Sequence, residues 1–294
     1  MRWREFQSLQ RVCVLGERFV SYVDQGAGDP VVLLHGMPTW GYLWHRLIPE
    51  LAWRRRVLVP DLLGFGYSDK SDRFDRSIAV QAEMIVAWLN AVGIPRADFV
   101  GHDLGGGVAL RLATLFPERV GRVTLISSVS YDSWPIEAML QLGHPDMKRR
   151  LSASALTSLL RLGLRQGFAV APPDELIEGL LAPYTTEVGK LSLIRNASAM
   201  DTNQTMAIAP LLTQVVAPAL ILWGTGDRFQ PIKFGERLAF DIPGSRFVRV
   251  ERARHFLMID QPDKVAEELR GFLPPSEPLR PVAPTIEPRM APPT

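Results

Sequence analysis

At 294 residues, 47% of them hydrophobic, the chain is long enough for one large α/β domain with an insertion. A net charge of +2 with scattered Lys and Arg argues against nucleic acid as a partner. The single cysteine, Cys13, excludes an internal disulfide framework, and no apolar run is long enough to span a bilayer, so no membrane partner is expected.

Residues 1–6 lack the hydrophobic run of a secretory leader, and a cytoplasmic location is expected. Residues 12–23 alternate around Gly16 and Glu17, which predicts an antiparallel hairpin. Short apolar runs at 31–35, 57–60, 98–101, 123–127, 219–223 and 247–250 predict buried strands. Helical patterns follow several of them. Residues 78–92 place Ile78, Ala82, Ile85, Trp88, Leu89 and Val92 largely on one face. The pattern at 105–116 ends at Pro117, and that at 262–272 opens with proline, a favoured first helical residue. Strands alternating with helices predict an α/β fold with a mostly parallel central sheet flanked by helices.

That alternation stops between 131 and 208, where 138–142, 147–164, 173–181 and 186–198 read as helices without a clear buried strand. The expected organisation is a core of 1–130 and 209–273, an inserted helical cap of 131–208, and a Pro-rich tail of 274–294. The tail cannot bury enough surface to order itself and is expected to be disordered.

The chemistry centres on Gly101-His102-Asp103-Leu104-Gly105, between a predicted strand and a predicted helix. Small residues on both sides permit a sharp turn, and aspartate tolerates positive φ better than most residues. Its carboxylate is ionised at pH 7 and can displace a leaving group from an sp3 carbon, giving an aspartyl ester. Asp227 follows the run 219–223, and His255 follows the run 247–250. Asp132 is a rival acid, after the strand predicted to end near Ser127.

An aspartate stands here where the nucleophile elbow usually carries serine. With His35-Gly36-Met37-Pro38-Thr39-Trp40, residues 60–70, the turn at Asp103, and His255-Phe256 followed by Asp260-Gln261-Pro262, the chain resembles the epoxide hydrolase and haloalkane dehalogenase group of α/β-hydrolases. The resemblance covers most of residues 20–272 and is weak between about 131 and 208. It implies the α/β-hydrolase fold with a cap over the site, and a triad in the order nucleophile, acid, histidine. Asp103 is then the nucleophile. Asp227 would hold the His255 ring and stabilise its charged form, and His255 would take a proton from the water that cleaves the ester. The backbone N–H groups of Met37 and Leu104 would form the oxyanion hole, each donor worth about 3 kcal/mol. Trp40, Tyr131 and Tyr184 are candidate pocket residues. His35 would brace the oxyanion turn and His102 would pack beside the elbow. No metal cluster is apparent, and the mechanism requires no cofactor.

Substrate choice is less constrained. Dehalogenases of the group often place tryptophan after the nucleophile and a further donor in the cap or the His-Gly-x-Pro turn. Leu104 and Met37 occupy two of those positions here. Epoxide opening needs acids, usually two cap tyrosines, and Tyr184 and Tyr131 are available. The apolar Leu104 suggests an uncharged substrate. Epoxide hydrolysis is therefore placed ahead of haloalkane dehalogenation, with a small, mostly apolar electrophile and water as the reactants. An esterase- or lyase-like activity and a non-catalytic ligand sensor are the further alternatives.

Overall fold

The strands are β1 (Arg11–Leu15), β2 (Arg18–Gln25), β3 (Pro30–Leu34), β4 (Arg56–Pro60), β5 (Ala97–His102), β6 (Val120–Ile126), β7 (Ala219–Gly224) and β8 (Arg246–Val250) in the computed structural model. They form one sheet in the order β1-β2-β4-β3-β5-β6-β7-β8. The predicted hairpin is β1 and β2, and β2 also pairs antiparallel with β4. From β4 to β8 every neighbouring pair is parallel. Every residue of β5 and of β7 is buried, as in parallel strands covered on both faces. The structure describes residues 1–274. The expected tail lies outside the described residues except for Pro274, whose carbonyl accepts from Arg55 at 3.1 Å.

Two central helices sit close to the predicted positions. Helix Ile78–Ala91 starts where Ser77 Oγ accepts from the Val80 N–H at 3.2 Å. It buries Trp88, whose ring meets Tyr22 edge-on at 5.3 Å. Helix Leu104–Leu115 follows β5 and packs hard against the end of β3. A methyl group at Gly105 would overlap the carbonyls of Leu34 and His35, so this crossing needs glycine. Below the site, Arg55 and Asp98 form a buried ion pair of 2.6 Å beside the start of β5.

Between β6 and β7 the described chain is helical and contains no strand. The single helix expected over 147–164 is two, Met147–Arg150 and Ala153–Gln166. Leu151 is extended, and Ser152 caps the second helix by accepting from the Ala155 N–H at 3.1 Å. Serine at a helix start competes with continuation of the preceding turn.

The insert is fastened to the core at several points. Trp40 Nε1 donates to the Gly179 carbonyl at 2.8 Å, and the Tyr184 hydroxyl donates to the Thr39 carbonyl at 3.2 Å. Arg76 Nη1 donates to Ser192 Oγ and Asn196 Oδ1, each at 2.7 Å. Arg254 Nη1 donates to the Phe168 carbonyl at 3.1 Å. Helix Trp3–Ser8 adds Phe6, buried edge-on against Trp40 at 5.4 Å.

Candidate active site

Asp103 lies between β5 and helix Leu104–Leu115 with φ 52° and ψ −119°. A positive φ at a residue with a Cβ costs on the order of 1–3 kcal/mol and persists only when its surroundings enforce it. Here the Asp103 carbonyl accepts from the N–H groups of Gly106, Gly107 and Val129 at 3.0, 3.2 and 3.1 Å. The Asp103 N–H donates to the Ile126 carbonyl at 3.3 Å. The turn is thereby tied to its own helix and to the segment leaving β6.

The two carboxylate oxygens of Asp103 have different surroundings. Oδ1 accepts from the Met37 N–H at 2.9 Å, and the Leu104 N–H also favours the charged form. Oδ2 lies 3.7 Å from His255 Nε2, close enough for electrostatic attraction but too far for a hydrogen bond. Behind Met37, His35 supports the turn. Its Nδ1 meets the Gly36 carbonyl and its Nε2 meets the Leu62 N–H, both at 3.0 Å. A donor at the first nitrogen and an acceptor at the second describe one neutral tautomer.

His255 follows β8, and its Nδ1 meets Asp227 Oδ2 at 3.0 Å. Asp227 follows β7 with its side chain fully buried. Its other oxygen, Oδ1, accepts from the N–H groups of Phe229 and Gln230 at 2.9 and 3.0 Å. The rival acid Asp132 is exposed. His102 packs beside the elbow as expected. Its Nε2 meets the His255 carbonyl at 3.0 Å, and its ring lies 4.5 Å from that of His255.

The electrostatics follow from burial and pairing. Burial raises the Asp103 carboxyl above the ordinary carboxylate range, against the opposing pull of His255 and the two N–H groups. Burial alone would depress His255, but the charge and hydrogen bond of Asp227, with the charge of Asp103, outweigh it and raise the ring. Burial likewise opposes ionisation of Asp227, and the His255 partnership overcomes it and lowers the acid.

A cavity of about 460 Å³ opens over these groups. Asp103, Leu104, Met37 and His255 form part of its wall, and the helical insert contributes apolar side chains such as Trp134, Leu156 and Leu160. The three expected pocket residues are not at this wall. Trp40 and Tyr184 are buried where the insert joins the core, each donating to a backbone carbonyl. Tyr131 is buried with its hydroxyl donating to Asp241 Oδ2 at 2.6 Å. Trp40 is expected there because it follows the oxyanion turn, and Tyr131 and Tyr184 because the resemblance calls for tyrosine acids projecting from the cap. Their polar atoms instead find partners elsewhere.

The wall has few polar side chains. Trp134 Nε1 donates to Thr205 Oγ1, and Gln141 Nε2 donates to Glu137 Oε1, each at 2.7 Å. Phe229 and Gln230 also line the cavity, and the Phe229 ring meets His255 edge-on at 5.2 Å. Sequence reading missed both, although they lie two and three residues beyond Asp227. Among the described residues no group of His, Cys, Asp and Glu could hold a metal ion. Among the described residues no helix is long and apolar enough to cross a membrane.

Comparison with known proteins agrees with this architecture. A family model for the alpha/beta hydrolase fold matches residues 29–159. Haloalkane dehalogenase 2 of Mycobacterium tuberculosis is 28% identical over 262 residues, covering 84% of this chain and 88% of the relative. The crystal structure of an alpha/beta hydrolase fold protein from Burkholderia ambifaria superposes with a TM-score of 0.84 at 28% identity, covering 89% of this chain and 97% of that one. Haloalkane dehalogenase DbeA from Bradyrhizobium elkani superposes with a TM-score of 0.79 over 90% of this chain and 97% of its own. At 19% identity that likeness concerns the fold alone.

Proposed function

We propose that the chain, with its α/β-hydrolase fold and haloalkane dehalogenase-like relatives, hydrolyses a small, mostly apolar carbon electrophile through an ester on Asp103. The observation that carries this reading is the unequal pair of oxygens on Asp103. Oδ1 is held by the Met37 N–H, while Oδ2 is left near His255 on the wall of an apolar cavity.

In the first step Asp103 Oδ2 attacks an sp3 carbon and the leaving group departs with the bonding electrons. In the second, His255 Nε2 takes a proton from water, and the hydroxide oxygen adds to the ester carbonyl carbon. The resulting negative charge develops on Oδ1, beside the Met37 and Leu104 N–H groups. Collapse releases the alcohol and restores the carboxylate. Asp227 fixes the His255 ring throughout and stabilises its cationic form.

Within this reading, alkyl halides are favoured over epoxides. Among the described residues no tyrosine lines the cavity, so the phenolic acids expected to open an epoxide are not in place. A halide leaves as a stable anion and needs no proton. Bromide release and diol formation, measured with a panel of bromoalkanes and epoxides, separate the two classes.

Single turnover in heavy-oxygen water tests the ester. The solvent oxygen is expected in the Asp103 peptide, with an unlabelled alcohol. An unlabelled peptide after proven turnover, with label in the alcohol, overturns the ester route in favour of direct attack by water.

A further inference from the structure

Gln230 is 2% exposed and lines the cavity, yet its carboxamide has no partner in the protein. Its Oε1 is shut off from solvent without a hydrogen bond, whereas Nε2 also carries no hydrogen bond but is not among the atoms shut off. An N–H on a dry wall with no acceptor in the protein is costly to leave unpaired and is free to donate to an anion bound in the cavity. Of the other polar side chains on the wall away from the triad, Trp134 donates to Thr205, Gln141 donates to Glu137, and Gln166 is exposed to solvent.

The main chain at Gln230 is fixed at both ends. Its N–H donates to Asp227 Oδ1 at 3.0 Å, and its carbonyl accepts from Trp223 Nε1 at 2.7 Å. The loop that carries the triad acid therefore also sets the position of this carboxamide. A pre-positioned, dry donor is worth more to a developing charge than one that must reorganise from water.

We propose that the Gln230 carboxamide binds the departing halide, its Nε2–H donating to that atom as negative charge accumulates there. This inference rests on the ester reading above. Asp103 Oδ2 forms the C–O bond while the bond from carbon to the leaving atom breaks, and the electron pair goes to that atom. No proton is transferred. The neutral amide lowers the energy of the anion by a hydrogen bond alone.

Gln230→Met keeps the length of the side chain and removes its donor. A poor leaving group depends most on stabilisation of its charge. The ratio of kcat/KM for an iodoalkane to that for the matching chloroalkane is therefore expected to rise at least tenfold in Gln230→Met. An equal fall for every leaving group means a purely structural role and overturns the proposal.

A second measurement needs no turnover. The side-chain NH2 resonances missing from the Gln230→Met spectrum identify those of Gln230 in the native protein. Titration with sodium iodide is expected to move them to a plateau, which sodium sulfate at equal ionic strength does not reproduce. Resonances that stay still in iodide overturn the proposal. Saturable movement without label at Asp103 would separate a correct anion site from a failed ester reading.

Discussion

Gly36 and Asp103 approach so closely that a Cβ on the glycine would overlap Oδ1, Cβ and Cγ of the aspartate. The same contact brings the N–H of the next residue, Met37, to 2.9 Å from Oδ1. A glycine side by side with the carboxylate is therefore a condition for the backbone donor to reach it.

Gly36→Ala tests that condition. The added methyl must displace either the carboxylate or the turn, and the Met37 hydrogen bond is lost. Loss of one such donor predicts a fall in kcat of about 100-fold, near 3 kcal/mol. Circular dichroism should show the sheet and helices intact, and kcat at saturating substrate gives the answer. Activity within a few fold of the native protein would show that the donor is unimportant.

His255→Ala removes the base but leaves Asp103 in place. The first step should continue and the second should stop. Intact-mass measurement after mixing with a bromoalkane is expected to show one added alkyl group per chain, located to the Asp103 peptide. A variant that turns over many equivalents of substrate, or never gains mass, argues against the division of labour.

Asp227→Asn exchanges a charged partner of His255 for a neutral one. The comparable change in a serine-protease triad lowers kcat by about 10,000-fold by favouring the wrong tautomer. A loss of similar order is expected here, concentrated in hydrolysis of the ester. Rapid-mixing kinetics that show slow formation but normal decay of the ester would contradict it.

The pH dependence should differ between the two steps. Burial raises the Asp103 pKa, so its attacking carboxylate disappears as pH falls, at a pH above the ordinary carboxylate range. Formation of the ester removes that negative charge, which is one of the influences holding the His255 pKa up. His255 should therefore become neutral at a lower pH in the ester than in the free protein, and serve as a base there. Stopped-flow profiles are expected to place the midpoint for hydrolysis below the His255 titration of the free protein followed by NMR. Coincident midpoints would remove this coupling.

Away from the site, Asp98→Asn leaves Arg55 buried without its charged partner. Arg55 is bonded at 2.6 Å to an acid whose side chain is 6% exposed. Breaking such a pair by removing one member costs about 3–5 kcal/mol. Urea unfolding should report a loss of that order in Asp98→Asn, with the m-value unchanged. A shift below about 1 kcal/mol would place this pair with surface ion pairs.

The parts of the site set by local backbone rules were legible in the sequence. Glycines around Asp103 and the apolar runs before Asp227 and His255 mark strand ends, where short turns project side chains over a sheet. Helix 262–272 could be read to the residue because proline opens it. What long-range packing decides was not legible. Trp40 follows the oxyanion turn, and Tyr131 and Tyr184 belong to the expected cap, but their polar atoms are claimed by Gly179, Asp241 and Thr39, residues 139, 110 and 145 positions away. Gln230 shows the converse. Nothing about a glutamine in a loop marks it, and its interest arises only because the fold buries it beside a cavity.

The fastening of the helical insert limits how a reactant can arrive. Hydrogen bonds from Trp40, Arg76, Tyr184 and Arg254 hold it from separate directions, so wholesale swinging of that layer would break them together. Leu159 and Leu162 belong to the cavity wall and are 58% and 66% accessible, so apolar side chains of the insert meet both the cavity and the solvent. A greasy rim of this kind rewards molecules that give up their water readily, before their reactivity matters.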